Sequence, residues 1–152
     1  MKPFPHEYDA QLSGGMHGYA MMTANGLPDL RTATPTEFDG PGDAWTPEHL
    51  LLASVQTCFL FTFRAVARAS KIDFDALAVT ARGVVDRQEG ITRFTEIVLT
   101  ATLSAGPGMD RERALKAMEK SERHCLVTAS LSTPVRLEVR IEEPVGSADP
   151  VA

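Results

Sequence analysis

The most apolar stretch of the chain spans residues 50–66, where Leu50, Leu51, Leu52, Val55, Phe59, Leu60, Phe61, Phe63 and Val66 fall on nearly every face of a helix. A helix that is apolar all round is expected to be buried all round. Its start lies in Thr46-Pro47-Glu48. Thr46 can cap, Pro47 suits the first helical position because its missing N–H is an orphan there anyway, and Glu48 complements the positive end of the dipole. No Gly or Pro interrupts the pattern until well past Ser70, which predicts a helix of about 24 residues, or about 36 Å at ~1.5 Å per residue.

The pattern on either side is different. Before the helix, Gly14-Gly15, Gly18 and Asn25-Gly26 separate short mixed runs at 8–12, 19–23 and 30–34, which predicts a three-stranded meander. A Pro- and Gly-rich loop at 37–47 follows. After the helix come two runs rich in β-branched residues, 77–87 and 93–103, with Gly90 between them, a predicted hairpin. Residues 110–122 form an amphipathic helix opened by Asp110, with Leu115 and Met118 expected inward. In 134–142, Val135, Leu137, Val139 and Ile141 alternate with charges, which predicts a final strand whose apolar face packs on the central helix.

Length and composition narrow the class. At 152 residues and 43% hydrophobic content the chain is expected to form one domain over 1–152, with a core of about 8–143 and a flexible tail at 144–152. Net charge is −5, and the 15 basic residues are scattered among 20 acidic ones, which argues against a nucleic-acid partner. The amino terminus lacks an apolar stretch of signal-peptide length, and no run reaches the roughly 18–20 uninterrupted apolar residues of a membrane span. A cytoplasmic protein with no membrane partner is expected.

Cys58, inside the apolar helix, and Cys125, after the amphipathic one, are the only two cysteines. They are either inert buried hydrophobes or one redox couple assembled by the fold, and in a reducing compartment a pair is more often catalytic, sensing or metal-binding than structural. His124, Cys125 and the distant Cys58 lack the close ligand pair of a zinc site, so no metal is predicted. His124 is also a poor activator of Cys125, because neighbouring side chains in an extended segment point apart.

Thr34-Pro35 with the Gly-rich loop, the run Thr46-Pro47-Glu48-His49-Leu50, Cys58-Phe59 and Cys125 after a short helix together resemble the osmotically inducible protein C and organic hydroperoxide resistance superfamily. The resemblance spans nearly the whole chain. It implies an α+β, OsmC-like fold: antiparallel sheets wrapped around a long buried central helix, in an intertwined homodimer with active sites at the interface. It further implies a thiol-dependent peroxidase without a cofactor, acting on organic hydroperoxides and reset by an external, lipoyl-type dithiol. Within it Cys58 is the peroxidatic cysteine, Cys125 the resolving one, and Glu48 the carboxylate that orients a catalytic arginine.

That arginine is displaced. Met16 and Glu37 stand where the two branches of the superfamily carry it, and the nearest substitutes are Arg31 and His17, of which Arg31 is favoured. The displacement matters because the attacking species is a thiolate, and burial alone raises a thiol pKa. Cys58 also lies too far along the helix for its dipole to help, so a nearby cation is expected. Glu48 precedes Cys58 by ten residues, ~15 Å of rise on a straight helix, so a Glu48 that serves Cys58 is expected from a second subunit. Phe59, Phe61 and Phe63, with Met16, Met21, Met22 and Trp45, are either an alkyl-binding lining or plain core. The rival reading is a relative with weakened catalysis that senses redox state or binds a small molecule.

Overall fold

The computed structural model describes residues 1–142, so the tail expected at 144–152 lies outside the described residues. Two compact units divide the chain, Met1–Leu51 and Leu52–Ala152.

In the amino-terminal unit β1 (Gln11–Gly14), β2 (Ala20–Thr23) and β3 (Leu30–Thr32) form the predicted antiparallel meander. β1 begins three residues later than its apolar pattern suggested, because Gly14 pairs with Ala20 inside the ladder and does not end it. A Cβ on Gly14 would stand 3.0 Å from that of Ala20, a close approach that suits glycine. A single 3-10 turn over Thr36–Phe38 and a bridge from Thr32 to Trp45 close the Gly-rich loop. The Ala33 N–H donates to the Trp45 carbonyl at 2.9 Å.

Helix α1 (Pro47–Ala69) starts where its capping residues predict. The Thr46 hydroxyl accepts from the His49 N–H at 3.3 Å and lies 3.0 Å from His49 Nδ1, while the Leu50 N–H donates to the Thr46 carbonyl. The expectation of burial all round is corrected. Only Val55, Phe59, Phe63 and Ala67 are buried, a stripe with four-residue spacing, whereas Phe61 is 59% exposed. One sheet covers one face of a helix, and among the described residues the rest of α1 is only partly buried or exposed.

By length and mean hydropathy, 1.6 over its most apolar window, α1 is also apolar enough to cross a membrane, because Ala, Thr and Ser lower the average less than the count of uninterrupted apolar residues suggests. Its buried stripe is that of a core helix.

The carboxy-terminal unit is built on a hairpin longer than predicted, β4 (Phe74–Gln88) and β5 (Ile91–Ala105). Glu89 and Gly90 both take positive φ, 51° and 79°, the two-residue turn whose twist matches the strands. A bulge between Val84 and Val85 re-aims the ribbon beyond it. β6 (Val135–Glu142) runs parallel to β5, so this sheet is mixed and not antiparallel throughout. The cause is the connection: residues 106–134 cross over through α2 (Arg111–Arg123) and α3 (Leu126–Ala129), and such a crossover returns a strand parallel.

The core joins Val55, Phe59, Phe63 and Ala67 of α1 to Leu99, Ala101 and Leu103 of β5 and to Ala114, Ala117 and Met118 of α2. Burying each Phe contributes roughly 1.5–3 kcal/mol. The apolar residues of β6 pack against the same cluster. Asp110 caps α2 as expected, its carboxylate accepting from the Arg113 N–H at 3.1 Å. Leu115 is 38% exposed and not inward, because the small Ala114 and Ala117 bring the helix down on its 114, 117, 118, 121 face.

Candidate functional site

Both cysteines fall in the carboxy-terminal unit, and its packing brings them together. Cys58 is half-buried on α1, one residue before the core residue Phe59. Cys125 is 1% exposed and occupies the position that caps α3. Both are free thiols. The link between α2 and α3 is tight: the His124 N–H donates to the Lys120 carbonyl at 3.1 Å and the Cys125 N–H to the Glu122 carbonyl at 3.2 Å. The chain then turns at once into α3, where the Ala129 N–H closes on the Cys125 carbonyl at 2.9 Å.

This turn sets α3 beside the Cys58 sulfur, where Val127, Cys125, Thr62 of α1 and Leu126 all act on its ionisation. Burial is the largest single influence on the Cys58 thiol and pushes its pKa up. The Val127 N–H, the Cys125 side chain, the Thr62 hydroxyl and the Leu126 N–H act in the other direction and together outweigh it, so the thiol lies below its ordinary range.

Cys125 goes the other way. Burial, again the largest influence, raises its pKa; the Thr128 hydroxyl and N–H lower it, but the hydrogen bond to Cys58 and the negative charge there keep it raised. One sulfur is set to ionise first, and the other to keep its proton and donate it.

The remaining predicted residues lie in the amino-terminal unit. Arg31, on β3, donates from Nη2 to the Asp43 carbonyl at 3.1 Å, stands 3.6 Å from the Asp43 carboxylate and stacks on the Tyr19 ring at 4.4 Å. The Tyr19 hydroxyl donates to both Asp43 oxygens, at 2.8 and 2.9 Å. Among the described residues the carboxylate beside Arg31 is therefore that of Asp43. Glu48 is half-buried in the first turn of α1, and its Oε2 is buried without a hydrogen-bond partner among the described residues. Because α1 is unbroken from Pro47 to Ala69, the ten-residue offset between Glu48 and Cys58 remains a rise of ~15 Å.

Phe59 and Phe63 are fully buried core and line no open pocket. Phe61 is exposed, with the Arg64 guanidinium 5.2 Å from its ring centroid. No cluster of three or more potential metal ligands occurs among the described residues.

Thr62, Leu126, Val127 and Thr128 were not singled out in the sequence. Thr62 carried a signal, a hydroxyl four residues after a cysteine on a predicted helix. α3, at four residues, is too short for any periodic pattern.

The comparisons with known proteins bear on the family and the fold. A family model described as OsmC-like protein matches residues 40–140. The uncharacterized protein YmaD of Bacillus subtilis (strain 168) is 24% identical over 115 residues, which cover 74% of this chain and 77% of that protein. An OsmC-like protein of unknown function from Vibrio cholerae superposes with a TM-score of 0.80 at 15% identity, covering 89% of this chain and 99% of the other. An organic hydroperoxide resistance protein, OsmC, from Legionella pneumophila superposes at 0.72 with 24% identity, covering 92% and 99%. With the family model spanning 40–140 and the fold shared over nine-tenths of the chain, this protein belongs to the OsmC-like family.

Proposed function

We propose that this protein is a cytoplasmic, homodimeric thiol peroxidase that reduces organic hydroperoxides to alcohols. The observation that carries the reading is that the fold brings the two thiols close enough to influence each other, with Cys58 shifted toward the thiolate and Cys125 toward the thiol. The Cys58 thiolate attacks the distal oxygen of a hydroperoxide; the O–O bond breaks, the alkoxide leaves and takes up a proton, and Cys58 becomes a sulfenic acid. Cys125 then attacks that sulfur, water leaves, and a Cys58–Cys125 disulfide forms. An external dithiol, of lipoyl type by the resemblance, returns both thiols and is itself oxidised to a disulfide. The hydroperoxide resistance name borne by a relative of the same fold supports the substrate class.

A second copy is supported by the α1 face that stays exposed, Phe61 on it, and by the buried Glu48 oxygen that lacks a donor, both among the described residues. Arg31, the expected activating cation, is held by Asp43 and Tyr19 within its own unit, and the lowered Cys58 thiol is the nucleophile on which it would act. Purified protein exposed to cumene hydroperoxide, quenched and alkylated for mass spectrometry, tests the reading. Rapid loss of free thiol at Cys58 with appearance of the Cys58–Cys125 disulfide is expected. A Cys58 that stays alkylatable overturns it.

A further inference from the structure

Helix α2 carries a row of cations on a protein of negative net charge. Arg113, Lys116, Lys120 and Arg123 recur at three- and four-residue spacing, which sets them along one edge of the buried 114, 117, 118, 121 face, and all four are exposed. Against a net charge of −5 the row is a local reversal of sign. Arg113 donates from Nη2 to the Ser70 carbonyl at 2.6 Å, and Lys116 pairs with Glu112 at 2.6 Å. Lys120 and Arg123 take part in no ion pair among the described residues, so their charges are open to a partner. A groove of about 360 Å³ runs beside the row, lined by Ser70, Ile72, Ala117 and the first three cations.

The row leads to a thiol. From Arg113 to Arg123 it rises ~15 Å, and Arg123 stands two residues before Cys125. The His124 and Cys125 N–H groups, bonded to the Lys120 and Glu122 carbonyls, hold Cys125 against the end of the helix. Directly after it Leu126 is 68% exposed.

We propose that this row is the docking surface for an acidic protein domain that carries the resetting dithiol, with Leu126 as the apolar contact at its thiol end. The proposal rests on the reading of Cys58 and Cys125 as a disulfide-forming pair and names the surface through which that pair meets its reductant. Cys125 is buried and Cys58 half-buried, so a dithiol that meets them only by free diffusion reacts seldom. Docking its carrier along α2 makes the exchange effectively intramolecular, and opposite charge steers the approach. One thiolate of the dithiol attacks the Cys58 sulfur, the Cys58–Cys125 bond breaks, and Cys125 leaves with the electron pair and takes up a proton. The second thiol then displaces Cys58 from the mixed disulfide; the carrier departs as a disulfide, and its two protons pass to the cysteines. A nucleic acid or an anionic membrane suits the row less well. Glu112 and Glu119, seven residues apart, run along its outer border and would repel a continuous polyanion, whereas a folded domain can set its carboxylates against the cations alone.

The test starts from protein oxidised with diamide and follows the return of free thiols with two reductants, dihydrolipoamide and a recombinant lipoylated domain of acidic pI held reduced. The readout is the ratio of the second-order rate for the domain to that for the free dithiol. In Lys120→Glu/Arg123→Glu the ratio is expected to fall about tenfold, and less in Lys120→Gln/Arg123→Gln. In wild type it should fall between roughly 0.01 M and 1 M KCl. The control Arg82→Glu/Arg140→Glu, which changes net charge equally at exposed positions on β4 and β6, is expected to keep the wild-type ratio. The proposal is overturned if the α2 variants stay within about twofold of wild type, if the control falls as far, or if the row instead binds phosphatidylglycerol vesicles while the ratio does not move. Because diamide makes the disulfide without peroxide, a ratio that depends on the row in a protein that consumes no hydroperoxide would defeat the peroxidase reading and leave the docking surface intact. No Cys58–Cys125 disulfide after diamide would defeat both.

Discussion

Cys58 and Cys125 lie close enough for each to shift the other's ionisation, Cys58 downward and Cys125 upward, so the two cysteines are unequal before any oxidant arrives. The inequality has a direction that substitution can expose. Cys125→Ala removes a side chain that lowers the Cys58 thiol and should slow its alkylation at neutral pH, whereas Cys125→Ser replaces the S–H with an O–H and should largely keep it. Neither variant can resolve a sulfenic acid. In Cys125→Ser, cumene hydroperoxide should oxidise Cys58 once and stop, leaving a sulfenic acid that dimedone traps and mass spectrometry counts. Continued turnover in that variant would remove Cys125 from the cycle.

The same inequality predicts how stability depends on pH. Cys58 has a folded-state pKa below its unfolded value, near ~8.5 for a free thiol. Between the two values the unfolded chain binds more protons, so the Cys58 contribution grows as pH rises, is complete above ~8.5, and is lost as pH falls through the folded pKa. Cys125, with a raised folded pKa, contributes stability that is complete below ~8.5 and lost as pH rises through its folded value. Chemical denaturation should therefore show a rising limb missing from Cys58→Ser and a falling limb missing from Cys125→Ser. A parallel pH profile for wild type and Cys58→Ser would contradict the lowered thiol.

Much of the fold was legible because its signals are local. Thr46-Pro47-Glu48 marks the start of α1, Gly90 marks the hairpin turn, and the alternation in β6 marks its apolar face. Cys58 and Cys125 stood out as the only thiols, and family motifs paired them. Three things were not legible. The exposure of Phe61 depends on which surfaces the sheet reaches, and the parallel course of β6 on a crossover of some thirty residues between β5 and β6. Two of the four groups that lower the Cys58 thiol are backbone amides, and an N–H leaves no letter in a sequence. The demand for a cation followed from burial and from the distance of Cys58 to the helix start, an argument that leaves out neutral groups brought in by the fold.

Gly40 offers a test of the amino-terminal unit. A Cβ there would lie 1.6 Å from the Thr34 carbonyl oxygen and 2.8 Å from that of Pro35, backbone atoms held in place by the Gly40 N–H donating to Pro35 at 3.0 Å. No rotamer relieves such a contact, so the loop itself must open. Gly40→Ala should cost at least ~3 kcal/mol, in the range reserved for steric conflict with fixed backbone. Gly15→Ala, with nothing within 4 Å, should change stability by about 0.5 kcal/mol or less. Urea denaturation of both variants makes the comparison, and equal midpoints would show that the turn at 34–40 yields.

Phe59 and Phe61 stand two residues apart on α1, one fully buried and the other 59% exposed, and they separate folding from assembly. Phe59→Ala leaves a cavity among Phe63, Leu99 and Met118 and should cost about 3–5 kcal/mol. Phe61→Asp puts a charge on a face that the chain's own core does not need, so a monomer would tolerate it at little cost. In a homodimer that covers this face, the same charge would be buried without a partner and would separate the subunits. Sedimentation velocity should find wild type as a dimer and Phe61→Asp as a folded monomer, with helical content by circular dichroism retained. The midpoint of thermal unfolding should rise with protein concentration for wild type and lose that dependence in the variant, because only an assembling fold gains stability by mass action. A wild-type monomer, or a Phe61→Asp dimer, would leave the uncovered face of α1 to some other partner.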